Sequence, residues 1–370
     1  TGADSNLRDA GRLVGEGERY DYDYHILQHS VSAYCAGHYR HGRLGVSFGA
    51  EVAGLWLLRE GHYEKETLPG KASYGPSKTC AFTPYNVFLA CRYGFTARHR
   101  ISLELYAGEY APDYEDVFLS PDYSNAVFAG SRTVTVWGAG LDYRLPLSHF
   151  AEFQLSGYAM RTSDGTRISH YYDDVYGKYC DLVLSGIGTV DWGVEAGARI
   201  HLTERLELLA AVSVGGNTYC GDPRVDIFED ASGEVLMSDS RARLDGYVHT
   251  TSPQTAITAA LNYTTRSRWS FTAEWMYAGR RYVTVNPLRR TERIVSLFAS
   301  PEERAACVAQ ERLPDAWVVN IGVTKSFSLF GTYVFASLSV DNLLDRRDIL
   351  YGGYEQMRLD KYTVDGKRTY

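Results

Sequence analysis

The 370-residue sequence predicts an all-β fold, the antiparallel wall of a transmembrane β-barrel, and three observations carry that prediction. The inventory of 29 Tyr and 35 Gly against 4 Met favours twisted strands, tight turns and amphipathic aromatic surfaces over helices. Twelve segments alternate apolar and polar residues with a period of two, most over about 9 to 15 residues, whereas a soluble strand averages about five or six. A tilted strand crossing a bilayer needs about 9 to 11. The connections, finally, alternate strictly between very short and long, as in outer-membrane barrels with short periplasmic turns and long extracellular loops.

The strands are expected near 26–39, 43–57, 86–96, 101–107, 133–145, 150–159, 188–200, 205–215, 254–263, 269–277, 316–327 and 332–343. In 43–57, Leu44, Val46, Phe48, Ala50, Val52 and Trp56 form one face and Ser47, Gly49 and Glu51 the other. In 101–107, Ile101, Leu103, Leu105 and Ala107 oppose Ser102, Glu104 and Tyr106, and 150–159 sets Phe153 and Leu155 against Glu152 and Gln154. Segment 188–200 opposes Val190, Trp192 and Val194 to Asp191, Glu195 and Arg199, and 269–277 opposes Trp269, Phe271, Ala273 and Trp275 to Ser270, Thr272 and Glu274. Short turns fall near 40–43, 97–100, 146–149, 201–204, 264–268 and 328–331, and long polar loops near 58–84, 109–131, 161–185, 217–252 and 279–314. A soluble sandwich shows the same alternation but spreads its loop lengths over both ends, so the asymmetry favours the barrel. With the short turns periplasmic, the first strand starts outside and the twelfth ends outside. A complete barrel has both ends in the periplasm, so the sequence reads as part of a larger one.

Net charge of -7 and a pI near 5.8 give no basic field for phosphates, and no nucleic-acid partner is expected. No apolar run approaches the roughly 18 residues of a membrane helix. The opening TGADSNLRDAGRLV has no signal-peptide pattern, which fits a cytosolic chain or a piece of a processed precursor. The six cysteines form no C-x-x-C pair and have no His at ligand spacing, so no zinc site is expected. Cys35 and Cys91 read as buried or lipid-facing hydrophobes, whereas Cys180 and Cys220, in separate polar loops, are within the reach of a disulfide.

From Ser339 the chain reads SVDNLLDRRDILYGGYEQMRLDKYTVDGKRTY. This resembles the C-terminal end of TonB-dependent outer-membrane receptors, especially those of Bacteroidota. Asn342, Leu343, Leu344 and Asp345 match the family's N-L-hydrophobic-D/N motif after the penultimate strand, and Gly352, Gly353, Tyr354, Glu355, Gln356 and Arg358 match its G-G-[FY]-E-Q-x-R segment. Weaker resemblance lies in ERYDYDYH at 18–25, SPDYSN at 120–125 and TSPQTAITAALNY at 251–263. The resemblance implies a 22-stranded barrel of which about 12 strands are present, residues 1–370 being a partial barrel without the plug domain, the early strands and most of the closing strand that begins at Gly366. It implies an outer-membrane location, a plug from the same parent chain and TonB as partners, contact with outer-membrane lipid and lipopolysaccharide, and import of a scarce nutrient such as an iron chelate, vitamin, glycan or peptide.

Lumen-facing charges are expected at Glu51, Arg92, Glu104, Asp142, Glu152, Asp191, Glu195, Arg199, Glu207 and Glu274, to hydrate the lumen and pair with a plug. In the loops, Tyr123, Tyr171, Tyr172, Asp173 and Asp174 combine flat rings with polar tips suited to a small nutrient ligand, and the basic cluster Arg280, Arg281, Arg289, Arg290 and Arg293 suits an anionic ligand or lipid phosphate. Aromatic girdles and solvated charge runs are the plainer readings of both groups. The Asp-rich stretches contain no calcium loop, and neither metal nor cofactor is expected. SPEERAACVAQ from Ser300 predicts a short capped helix. His25, His29, His38, His62, His170 and His249 stand in no recognisable constellation with Ser or Asp, so no enzyme is expected. The alternatives are an all-β ligand-binding or adhesion protein without transport activity, which a plug-encoding region upstream would exclude, and an outer-membrane hydrolase, which loss of turnover on a His substitution would support.

Overall fold

A computed structural model describes residues 2–9, 11–65, 72–173, 176–230 and 232–350. Among these, twelve long strands form one antiparallel sheet, joined by the hairpin strands β9 and β10. They are β1 (Tyr24–His41), β2 (Leu44–Gly61), β3 (Tyr85–Gly94), β4 (Arg100–Tyr110), β5 (Val134–Pro146), β6 (Ala151–Asp173), β7 (Lys178–His201), β8 (Leu206–Tyr219), β9 (Arg224–Glu229), β10 (Val235–Arg241), β11 (Thr255–Thr264), β12 (Trp269–Gly279), β13 (Ala316–Leu329) and β14 (Thr332–Val340). Neighbours run β14-β13-β12-β11-β8-β7-β6-β5-β4-β3-β2-β1, with β9 and β10 attached to the upper part of β7. All twelve expected strands are present. The path ends on β1 and β14, which do not pair with each other among the described residues. Val31 and Val340 lie on those two edges, so the sheet is open among the described residues.

The register puts every apolar row on one face. Val46 pairs with Cys91 and Tyr39, Cys91 with Leu103, and Leu103 with Leu141, and the same rows continue through Leu155, Ala196, Val212 and Ile257. Among the described residues nothing covers this face: all six tryptophans, at 56, 137, 192, 269, 275 and 317, are exposed. A sandwich would bury that row against a second sheet, and here there is none. Cys35, paired with Ala50, and Cys91 share the apolar face.

The opposite face is a ladder of cross-strand polar pairs. Asn86 donates to Glu51 at 3.2 Å, Gln154 to Asp142 at 2.7 Å, Asn217 to Asp191 at 2.6 Å and Asn320 to Glu274 at 3.0 Å, and Arg144 pairs with Glu152. A polar face toward water and an apolar face toward hydrocarbon satisfy the same sheet from both sides.

Two expectations need correction. The loop placed at 161–185 is mostly strand: β6 and β7 extend beyond the sheet rim as one long hairpin, pairing from Ala151 with Ile200 to Asp173 with Lys178. The suggested Cys180–Cys220 disulfide is absent, all six thiols being free. Cys180 is instead buried on β7, which pushes its thiol up to about 11. The helix expected after Ser300 forms at α1 (Pro301–Val308), with a complete capping box: Ser300 Oγ accepts from Glu303 N at 3.1 Å and Glu303 Oε2 from Ser300 N at 3.2 Å. Asn342 ends β14 by closing a turn, donating to Arg346 O at 2.9 Å and accepting from Arg346 N at 3.0 Å. The glycine-rich motif from Gly352 and the segment from Gly366 lie outside the described residues.

Candidate functional site

The long loops do not splay from the rim; they pack into a cap with its own core. Tyr171, Cys180, Leu182 and Leu184 of the long hairpin meet Val225 and Ile227 of β9, Leu244, and Leu288 and Ile294 of loop 280–315. A smaller core joins Leu57 to Val117 and Phe118 of loop 111–133. Arg59, 1% exposed, ties that loop down: it donates to Pro121 O at 2.5 Å, Ser73 O at 2.8 Å and Asn125 Oδ1 at 2.5 Å, with its guanidinium 4.9 Å from the Tyr24 ring centroid.

Several residues expected to bind ligand are used inside this cap. Tyr171 is buried and donates to Asp173 Oδ2 at 2.8 Å, while Arg293 reaches Asp173 Oδ1 and Oδ2 at 3.1 Å. Burial works to raise the Asp173 carboxyl, but bonds from Arg293, Tyr171 and the Tyr176 N–H outweigh it and hold the group below the usual carboxylate range. Arg290 is buried too. It donates to Asn286 O at 3.0 Å, Val308 O at 2.7 Å and Ala309 O at 3.1 Å, so it caps the end of α1, and it stacks on Tyr247 at 4.7 Å.

The others reach the surface. Tyr123 is exposed and donates to Asp21 Oδ2 at 2.9 Å, with Lys65 over its ring at 5.2 Å. Tyr172 and Arg289 are half-buried, Tyr172 lying edge-on to Tyr179 at 5.2 Å. Asp174 lies outside the described residues. The structure therefore gathers Tyr171, Asp173 and Arg290 into one cap core and leaves Tyr123 on a separate loop.

Between cap and polar wall lies a cavity of about 840 Å³, lined among others by Glu195, Ser213, Thr258, Met276, Arg281 and Ile349. Arg281, a member of the basic cluster read from the sequence, is 7% exposed; its Nη2 donates to Leu350 O at 2.6 Å and its Nη1 has no partner. At the short-turn end a second hollow of about 740 Å³ is lined by Arg40, Arg43, Arg92 and Arg100, none of which forms an ion pair among the described residues.

Four histidines acquire carboxylate partners that the sequence did not reveal, one of them His201, whose Nδ1 lies 3.5 Å from Glu207 Oε2 at a short turn. His249 Nε2 lies 2.8 Å from Asp191 Oδ1, His62 Nδ1 3.5 Å from Asp23 Oδ2 and His170 Nδ1 2.7 Å from Asp181 Oδ1. None of these pairs is joined to a nucleophile in a relay of the hydrolase kind.

No protein-family model matches the chain, and no curated protein matches it by sequence. Solved structures do match in fold. The copper transporter OprC superposes with a TM-score of 0.60 at 14% identity, over 92% of this chain and 47% of that one. The siderophore receptor PiuA from Acinetobacter baumannii gives 0.55 at 12%, over 88% and 40%, and the ferric citrate transporter FecA in its unliganded form gives 0.54 at 12%, over 92% and 44%. The chain thus spans under half the length of each of these. What these structures share with the chain is the fold, an antiparallel β-barrel wall.

Proposed function

We propose that this chain forms much of the barrel of a TonB-dependent outer-membrane receptor that imports a scarce nutrient, an iron chelate, vitamin, glycan or peptide. The observation that carries this reading is the single sheet with all six tryptophans on an uncovered apolar face, a polar ladder behind it and buried cores in the long loops. That arrangement suits lipid outside, water inside and a ligand-sorting cap. The similarity to proteins named as transporters and receptors supports it.

In this reading the short turns face the periplasm and the cap faces outward. The unpaired Arg40, Arg92 and Arg100 suit an acidic face of the plug, and TonB acts through that plug. The exposed aromatic rows contact lipid, with lipopolysaccharide at the outer rim. Tyr123, Tyr172, Arg289 and Arg281 face the cargo, while Tyr171, Asp173 and Arg290 hold the loops that present them. The motif from Gly352 to Arg358 supports the Bacteroidota branch.

The test is uptake by cells with and without the parent gene, offered a labelled ferric chelate, vitamin, oligosaccharide and oligopeptide in turn. One class should accumulate only with the gene and only with TonB present. Arg281→Ala should raise the half-saturating concentration about tenfold or more, the loss of a hydrogen bond to a charged group. Equal uptake of all four by the deletion strain would refute transport.

A further inference from the structure

One polar cluster stands apart from the lumen cavity and is assembled from three separate segments. His170 of β6, Asp181 opposite it on β7 and Asp230 just beyond β9 each present a ligand atom, all within 4.8 Å of one another. Besides its contact with His170, Asp181 takes a bond from Ser120 Oγ of loop 111–133, 3.1 Å from Asp181 Oδ2, and the same hydroxyl reaches Asp230 Oδ1.

The donor count falls short. A serine hydroxyl has one proton, and here two carboxylates converge on it. Asp181 is 1% exposed, and among the described residues no Lys or Arg forms an ion pair with Asp181 or Asp230. The buried Asp181 and the half-buried Asp230 therefore have only an imidazole to balance their charge, a costly arrangement that a cation relieves.

We propose that His170, Asp181 and Asp230 bind one divalent metal ion of the zinc class, with Ser120 Oγ or water in the remaining position. The inference stands on this geometry and does not depend on the transport reading. One imidazole nitrogen with two carboxylate oxygens is a borderline N/O set that suits Zn²⁺. Magnesium and calcium favour all-oxygen shells, and no thiolate is present for a soft monovalent ion. The ion would replace the hydrogen of the His170–Asp181 contact and release any proton held there. It would clamp the long hairpin, the β9–β10 hairpin and loop 111–133 at one point of the cap.

The full-length protein, purified in detergent and stripped with a chelator, should retain one Zn²⁺ per chain after loading and desalting, counted by mass spectrometry, even in excess Mg²⁺. His170→Gln and Asp230→Asn, at exposed and half-buried positions, should each weaken binding about tenfold or more, while Asp113→Asn, at an exposed position of loop 111–133, should not. Zinc should also slow proteolysis of the wild-type cap from outside and leave that of both site variants unchanged. Failure of the wild type to retain zinc would overturn the proposal, as would retention unaffected in both site variants. Heat-modifiable gel mobility identifies folded variants, and two positions guard against the loss of one.

Discussion

On β12, Trp269, Phe271, Ala273 and Trp275 stand in a row with nothing over them, whereas on the outward extension of β7 the consecutive residues Cys180, Asp181, Leu182, Val183 and Leu184 are each 3% exposed or less. The two stretches belong to one sheet but to different solvents. In the wall, one face meets hydrocarbon and the other water, so a period of two is written into the residues. In the cap both faces are covered: Cys180, Leu182 and Leu184 pack on the loop core, while Asp181 meets Ser120 on the other side. The alternation disappears because both faces face protein. The wall is stable because each strand pairs with the next, and the cap because distant segments meet.

The largest expected effect follows from that difference. Removing Asp173 leaves the half-buried Arg293 without its partner and the buried Tyr171 hydroxyl without its acceptor, together a loss of about 3–5 kcal/mol. Asp173→Ala should expose the cap to protease added from outside while the heat-modifiable mobility of the barrel stays as in the wild type. If the barrel signature falls as well, wall and cap form one cooperative unit and the comparison fails. The pH dependence has a definite sign. Asp173 is held below its ordinary value, so its contribution is complete above about 3.9, the unfolded carboxylate value, and is lost only as pH falls through the lower folded one. The cap should resist proteolysis and hydrogen exchange at pH 5 as well as at pH 7.

The same contrast explains what could be read in advance. All twelve wall strands were legible because each samples two solvents. The upper halves of β6 and β7 read as a loop because HYYDDVYGKYCDLVL follows neither face, and the short alternation Arg224, Val225, Asp226, Ile227 was hidden in a polar stretch. At the candidate site the chemistry of Asp173 and Arg290 was visible and their use was not, since the partner of Asp173 lies 120 residues away. His170 and Asp181 are only 11 residues apart, but they face each other because the hairpin continues beyond the rim, and Asp230 arrives from a different one.

A middle-sized effect sharpens the assignment of faces. Ala273 and Thr272 are adjacent on β12, on the apolar and polar faces respectively. Ala273→Arg should destabilise the barrel by about 2–4 kcal/mol, the cost of a guanidinium near the bilayer midplane, whereas Thr272→Arg should be close to neutral. Denaturant refolding into lipid vesicles measures both, and equal effects would mean that the row of tryptophans does not face hydrocarbon.

The smallest effect sits at the turn between β13 and β14. Phe330 and Gly331 form a two-residue loop with φ of 50° and 80°, a left-handed pair for which Asn-Gly is the favoured sequence. A bulky side chain in that region costs about 1 kcal/mol, and Phe330 is 96% exposed, so no protein contact repays it. If the turn stands in water, Phe330→Asn should stabilise the hairpin by roughly 0.5–1 kcal/mol, since Asn tolerates the conformation. If the ring instead dips into the headgroup layer, the same substitution removes apolar burial worth about 1.5–3 kcal/mol and the sign reverses. Refolding midpoints in lipid vesicles and in a short-chain detergent separate the two: stabilisation in both places the turn beyond the bilayer, and destabilisation confined to vesicles extends the wall's outward hydrocarbon face to the tip of its last hairpin.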